Sequence, residues 1–138
     1  MIRIVYLSSA AKEMTDETLL FLLEQSREKN KKLNITGMLL YGGDSFLQIL
    51  EGEEEEVTAL YEKILQDERH TDSILLDKSP IQERIFSAWS MGFKHLKSQE
   101  IESIEGFSDF LQRRVPPSEF AYKIDSVIGL LYEFKQNS

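Results

Sequence analysis

Three side chains of this chain have types and placements suited to chemistry: Gln48, Tyr6 and Asn30. Gln48 sits in the middle of the run Phe46-Leu47-Gln48-Ile49-Leu50. Strand alternation puts Phe46, Gln48 and Leu50 on one face and Leu47 and Ile49 on the other, so both faces are apolar. An amide inside such a strand must find partners for two donor hydrogens and an acceptor oxygen, or it costs about 1–3 kcal/mol. The residue is placed for a ligand or for a local network. Tyr6 shares the face of a first strand with Ile4 and Ser8, where a buried tyrosine ordinarily packs with its hydroxyl satisfied. Asn30 ends the stripe Leu19, Leu22, Leu23, Ser26, Asn30 at helical spacing. It also suits a helix C-terminus, since asparagine tolerates the left-handed conformation.

Composition narrows the chemistry. The chain has 138 residues, enough for one domain with a small appendage. Its apolar and charged shares, 41% and 29%, are those of a soluble globular protein. A net charge of −8 argues against direct nucleic-acid binding and against docking on anionic lipid. No apolar stretch is long enough to span a bilayer, and residues 1–6 lack the pattern of a signal peptide, so a cytoplasmic protein with no membrane contact is expected. The absence of cysteine excludes disulfides, thiolate catalysis and sulfur-held metals or chromophores. The two histidines, His70 and His95, have no metal-ligand spacing and no EF-hand loop is present, so no metal site is expected.

The elements that would position these groups follow from periodicity and punctuation. Residues 2–9 read as a strand, and Thr15 as the N-cap of a helix running to about Asn30. Residues 34–41 and 45–50 read as strands joined by the hairpin signal Gly42-Gly43-Asp44. That turn with Ser45-Phe46 partly resembles the signature of diguanylate cyclases, but Ser45 replaces the key glutamate, and a plain turn is the better reading. Five glutamates within residues 51–56 mark the start of a second helix, where Val57, Leu60, Tyr61 and Ile64 form the apolar stripe and the end falls near Asp67. Residues 73–77 read as a short fourth strand stopped by Ser79-Pro80, and residues 88–95 as a fifth with Trp89, Met91 and Phe93 on one face. The order β-α-β-β-α-β-β is the ferredoxin-like order plus one strand, an α+β fold. Two helical stretches follow, about residues 98–111 and 118–134, separated by Pro116-Pro117. The second is amphipathic through Phe120, Ile124, Val127, Ile128, Leu131 and Tyr132, and is expected to cover the free sheet face or another subunit.

Five segments together resemble the BLUF family of flavin-dependent blue-light sensors. They are Arg3-Ile4-Val5-Tyr6-Leu7-Ser8; Asn30 with Asn34-Ile35-Thr36-Gly37-Met38-Leu39-Leu40-Tyr41; Phe46-Leu47-Gln48-Ile49-Leu50-Glu51-Gly52; Asp67-Glu68-Arg69-His70; and Phe86-Ser87-Ala88-Trp89-Ser90-Met91-Gly92-Phe93. The resemblance covers about residues 1–96 and implies a ferredoxin-like five-stranded mixed sheet with two helices on one face, the flavin ring lying between the helices. Residues 97–138 would be a C-terminal helical extension of two helices.

By this resemblance Tyr6 is the redox partner of the excited flavin and Gln48 bridges it to the ring. Asn30 holds the O4 side. Leu22, Leu23 and Ile64 supply apolar walls. Asp67, Arg69 and His70 lie near the ring and ribityl chain, and Lys63 meets the phosphate. Trp89 and Met91 are the readout positions. The cofactor implied is FAD, with FMN or riboflavin as alternatives, because the distinguishing moiety projects toward solvent in this family. A tyrosine can lose an electron and a proton together, and a carboxamide can reverse its donor and acceptor ends, giving a red-shifted signalling state. The expected function is a light sensor without catalytic turnover. Its output would pass through the C-terminal helices to a separate effector protein or to a homo-oligomer. A ferredoxin-like small enzyme or ligand-binding regulator without light sensing is the competing reading. A phosphate hydrolase on this fold would need an arginine in an anion loop, which Ser8-Ser9-Ala10-Ala11-Lys12 does not supply. A related module that has lost flavin is disfavoured by the retained Tyr6, Asn30 and Gln48.

Overall fold

The computed structural model describes residues 1–10, 15–42, 45–67, 70–87 and 90–95, with backbone alone for Ala10, residues 70–72 and 93–95. Its elements are β1 (Ile2–Ala10), α1 (Asp16–Leu33), β2 (Thr36–Gly42), β3 (Ser45–Gly52), α2 (Glu54–Leu65), β4 (His70–Pro80) and β5 (Gly92–His95). β4, β1, β3 and β2 form an antiparallel sheet in that order. The four-residue β5 joins β2 in parallel at the far edge, giving a five-stranded mixed sheet.

Register explains why the chemistry converges. Tyr6 and Leu39 are the direct partners of Gln48 on its two sides, so the three side chains share one face. That face carries Ile2, Ile4, Tyr41, Phe46 and Leu50, and both helices pack on it through Leu19, Leu22, Leu23, Val57 and Leu60. The opposite face is buried as well, through Val5, Leu7, Met38, Leu40, Leu47 and Ile49. The expected covering role of the C-terminal helices falls on residues 97–138, outside the described residues, as do Arg69 and Trp89. Gly37 fits between strands only without a side chain, since a Cβ there would lie 1.9 Å from the Ile49 carbonyl oxygen.

Several boundaries differ from the sequence expectation. α1 continues past Asn30 to Leu33, and Asn34, not Asn30, takes the left-handed cap at φ 55° and ψ 41°. Lys31 and Lys32 extend the helix because they are good helix formers and suit its negative end. Thr15 is the N-cap as expected, its hydroxyl accepting from the Thr18 N–H at 3.1 Å. β4 runs through Ser79 and Pro80 instead of stopping before them. It is the other edge strand, where a proline's missing N–H need cost no ladder bond. α2 ends at Leu65, two residues short of Asp67. Glu51 belongs to β3 and is 1% exposed, so it is no part of the solvated glutamate run. The fifth strand begins at Gly92, with Ser90 and Met91 outside it. Among the described residues no helix is long and apolar enough to cross a membrane, and no group of three or more His, Cys, Asp or Glu side chains is placed to hold a metal.

Candidate functional site

A cavity of about 600 Å³ opens between α1 and α2 over the helix-covered sheet face. Leu22, Leu39, Leu60 and Ile64 give it apolar walls. Asn30, Gln48 and Gln25 supply three amides, Ser26 a hydroxyl, and Asp67 and Glu28 two carboxyls. Lys29, Lys32 and Lys63 also line it. Four apolar side chains among polar and charged ones suit a flat aromatic ligand with polar edges, and the lysines suit an anionic tail.

The inner end of the cavity is a hydrogen-bonded relay. Tyr6 is fully buried and its hydroxyl donates to Oε1 of Gln48. The Gln48 Nε2 then reaches Sδ of Met91 at 3.5 Å. The buried amide thus has a partner at each end, as the sequence argument required. Burial, with smaller contributions from Tyr61 and Asp67, pushes the Tyr6 phenol far above its ordinary range, so it stays protonated at any working pH. The Tyr61 ring lies 5.2 Å from that of Tyr6 at an interplanar angle of 54°, and its own phenol is also pushed up by burial.

α1 holds the main chain beside Met91. The Asn30 Nδ2 donates to the Ser90 carbonyl at 2.7 Å, and the Arg27 Nε donates to the Met91 carbonyl at 2.8 Å. Asn30 therefore lines the cavity and fastens the segment before β5 at once.

The structure brings together Tyr6, Gln48, Asn30, Met91, Leu22, Lys63, Ile64 and Asp67 around this relay and cavity. Leu22 and Leu23 both belong to the core cluster, and of the two Leu22 lines this cavity, Leu23 lying one helical position round from it. Leu60 and Leu39 line the cavity in addition. Arg69 and Trp89 lie outside the described residues, and for His70 only the backbone is described. The sequence reading missed Arg27, which carries no pattern of its own on an exposed helix position. It also passed over Tyr61, taken for a core residue at the right spacing, and Lys29 and Lys32.

Comparison with known proteins agrees with this architecture. The family model described as BLUF, sensors of blue light using FAD, matches residues 1–92. The beta subunit of a photoactivated adenylate cyclase from Euglena longa is 39% identical over 89 residues, 64% of this chain and 10% of that protein. The dark-state structure of BlrB, a BLUF protein, superposes with a TM-score of 0.68 at 29% identity, covering 80% of this chain and 81% of that one. A bacterial light-regulated adenylyl cyclase superposes with a TM-score of 0.71 at 37% identity, covering 83% of this chain and 34% of the cyclase. The chain spans about a tenth of the length of the curated relatives it matches.

Proposed function

Since the chain belongs to the BLUF family of blue-light sensors that use FAD, we propose that it is a photoreceptor whose switch is Tyr6, Gln48 and Met91. The observation that carries this reading is the unbroken run from the Tyr6 hydroxyl through the Gln48 amide to the Met91 sulfur, at the inner end of a cavity with the wall chemistry a flavin needs. A bound flavin, taken here to be FAD, supplies light absorption and an oxidising excited state.

The remaining work belongs to the chain. Tyr6 keeps its proton in the dark, because phenolate is disfavoured at a buried position. On losing an electron to the excited flavin it would become strongly acidic and pass its proton to Oε1 of Gln48, the atom it already bonds, while Nε2 would give up a proton toward the bound flavin, leaving a neutral imidic-acid tautomer. Gln48 has a donor end and an acceptor end, so rotation or tautomerisation reverses what it offers to Tyr6 and to Met91 without breaking the fold. The apolar walls keep water from competing for those positions. Lys63, with Lys29 and Lys32, would hold the phosphates, and Asn30 the carbonyl edge of the ring; Asp67, Arg69 and His70 would lie toward the ribityl chain.

The chain is a sensor without turnover. Met91, Trp89 and residues 97–138 relay the state of Gln48 to an effector protein or to self-assembly. The relatives named as light-regulated cyclases support an effector of the signalling kind. The test is an absorption spectrum of the purified protein before and after blue light. A yellow protein with a small, reversible red shift is expected. A colourless protein that binds no added flavin would favour the reading as a ligand-binding regulator without light sensing.

A further inference from the structure

On the sheet face away from the cavity, Glu51 is buried and collects three hydrogen bonds. The Thr36 hydroxyl, its cross-strand partner, donates to Oε1 at 3.0 Å. The Phe86 N–H donates to Oε1 at 3.0 Å and the Ile85 N–H to Oε2 at 2.7 Å. Arg84 adds Nη1 contacts to the Thr36 hydroxyl at 3.1 Å and to the Glu51 carbonyl oxygen at 3.4 Å. Glu51 thus ties the connection between β4 and β5 to β3 through main-chain donors, which fixes backbone position independently of side-chain identity. Five residues after Phe86 comes Met91, whose sulfur meets Gln48, also on β3.

We propose that Glu51 is a positioning residue of the photoswitch: it fixes the upstream end of the segment whose downstream end carries Met91, so that both ends are referred to one strand. This rests on the photoreceptor reading above. Arg27 and Asn30 hold the Ser90 and Met91 carbonyls from the helix side, and Glu51 is the corresponding hold from the sheet. With the upstream end released, Met91 no longer stands at a set distance from the Gln48 amide, and the amide is less confined in either orientation. The barrier to its return then falls.

The test is the thermal recovery of the light state in the full chain with its flavin. Glu51→Gln keeps the shape but replaces one acceptor with an NH₂ that faces main-chain donors. We expect the dark spectrum and the size of the light-induced shift to match the parent, with recovery about three- to tenfold faster. The acceleration should disappear in a Met91→Ala background, since the route through Met91 is then gone. Val57→Ala, destabilised by a core cavity on the helix-covered face of the sheet, opposite the Glu51 carboxylate, should recover at the parent rate. If Glu51→Gln does not fold, Thr36→Val removes one of the three donors and should accelerate recovery in the same direction by less. Recovery at the parent rate in Glu51→Gln, or in Thr36→Val where Glu51→Gln does not fold, overturns the assignment, as does an equal acceleration with and without Met91. A parent chain that shows no light-induced shift removes the photoreceptor reading itself, an outcome distinct from a photoactive parent with an indifferent Glu51.

Discussion

Gln48 and Glu51 stand on the same strand, point to opposite faces of the sheet, and are both buried. Their hydrogen bonding is of two kinds. Gln48 receives a bond at one end and offers one at the other, and it borders a cavity. Glu51 only receives, from donors of which two are main chain, and it borders packed protein. A group with both polarities can be turned over and still be satisfied. A group with acceptors alone, met only by donors, has nothing to gain from turning. The comparison teaches where a sheet can afford a moving part and where it needs a fixed one.

The most drastic way to break that contrast is Gln48→Leu, which removes both polarities. The variant is expected to keep its flavin and to lose the light-induced red shift completely, as read in a difference spectrum. A shift of parent size would show that Gln48 is not the moving part.

Tyr6→Phe comes next. It leaves Gln48 in place but removes the donor to Oε1. Flavin fluorescence should rise several-fold and the shift should vanish, because the electron and proton donor is gone. Emission and photocycle equal to the parent would remove Tyr6 from the switch. The same variant bears on alkaline stability. The buried Tyr6 phenol has its pKa raised above the ordinary 10.0. Stability from the protonated, folded Tyr6 is therefore complete below about pH 10 and falls as pH rises beyond it, because the unfolded chain releases that proton first. Denaturation midpoints measured from pH 9 to 11, on the order of the ordinary tyrosine range, should fall more steeply for the parent than for Tyr6→Phe.

Asn30→Ala sharpens the comparison from the helix side. It deletes the 2.7 Å bond to the Ser90 carbonyl and an amide of the cavity wall together. Flavin affinity is expected to drop about tenfold, on the order of one good hydrogen bond, and the dark spectrum to move. A flavin titration with unchanged affinity and spectrum would exclude the contact.

Thr58→Val should have the smallest effect. The Thr58 hydroxyl is a buried oxygen with no hydrogen-bond partner among the described residues. Replacing it by a methyl group is expected to stabilise by up to about 1 kcal/mol in urea unfolding, with colour and photocycle unaltered. A loss of stability would show that the hydroxyl contributes to the fold after all.

Much of this arrangement was legible in the residues. An amide between apolar neighbours on both sides of a strand announces a ligand or a local network, while it was the resemblance to the BLUF family, not alternation or spacing, that implied a common site for Tyr6, Gln48 and Asn30. Other features were hidden for physical reasons. Arg27 works through its guanidinium reaching a main-chain carbonyl 64 positions away, and nothing local in an exposed helical arginine signals that. Glu51 was masked by the glutamates that follow it, since composition cannot separate a buried acceptor from a solvated helix start. The end of α1 was misplaced because two asparagines, Asn30 and Asn34, both suit a left-handed cap, and only the fold decides which one closes the helix. Proline as a strand terminator failed at Pro80 because the rule applies to strands paired on both sides.

The sheet has a graded resistance to opening. β1 and β3 are zipped on both edges, whereas β5, among the described residues, is attached to β2 alone by a ladder of four residue pairs. Local opening costs least where the fewest backbone bonds and contacts must be given up. Amide protons of β5 are thus expected to exchange with deuterium well before those of β1 and β3. As an edge strand beside Met91, β5 can detach without breaking the ladders among β4, β1, β3 and β2. On the proposed reading, a rearrangement at Gln48 would act beside the part of the sheet that takes least to open.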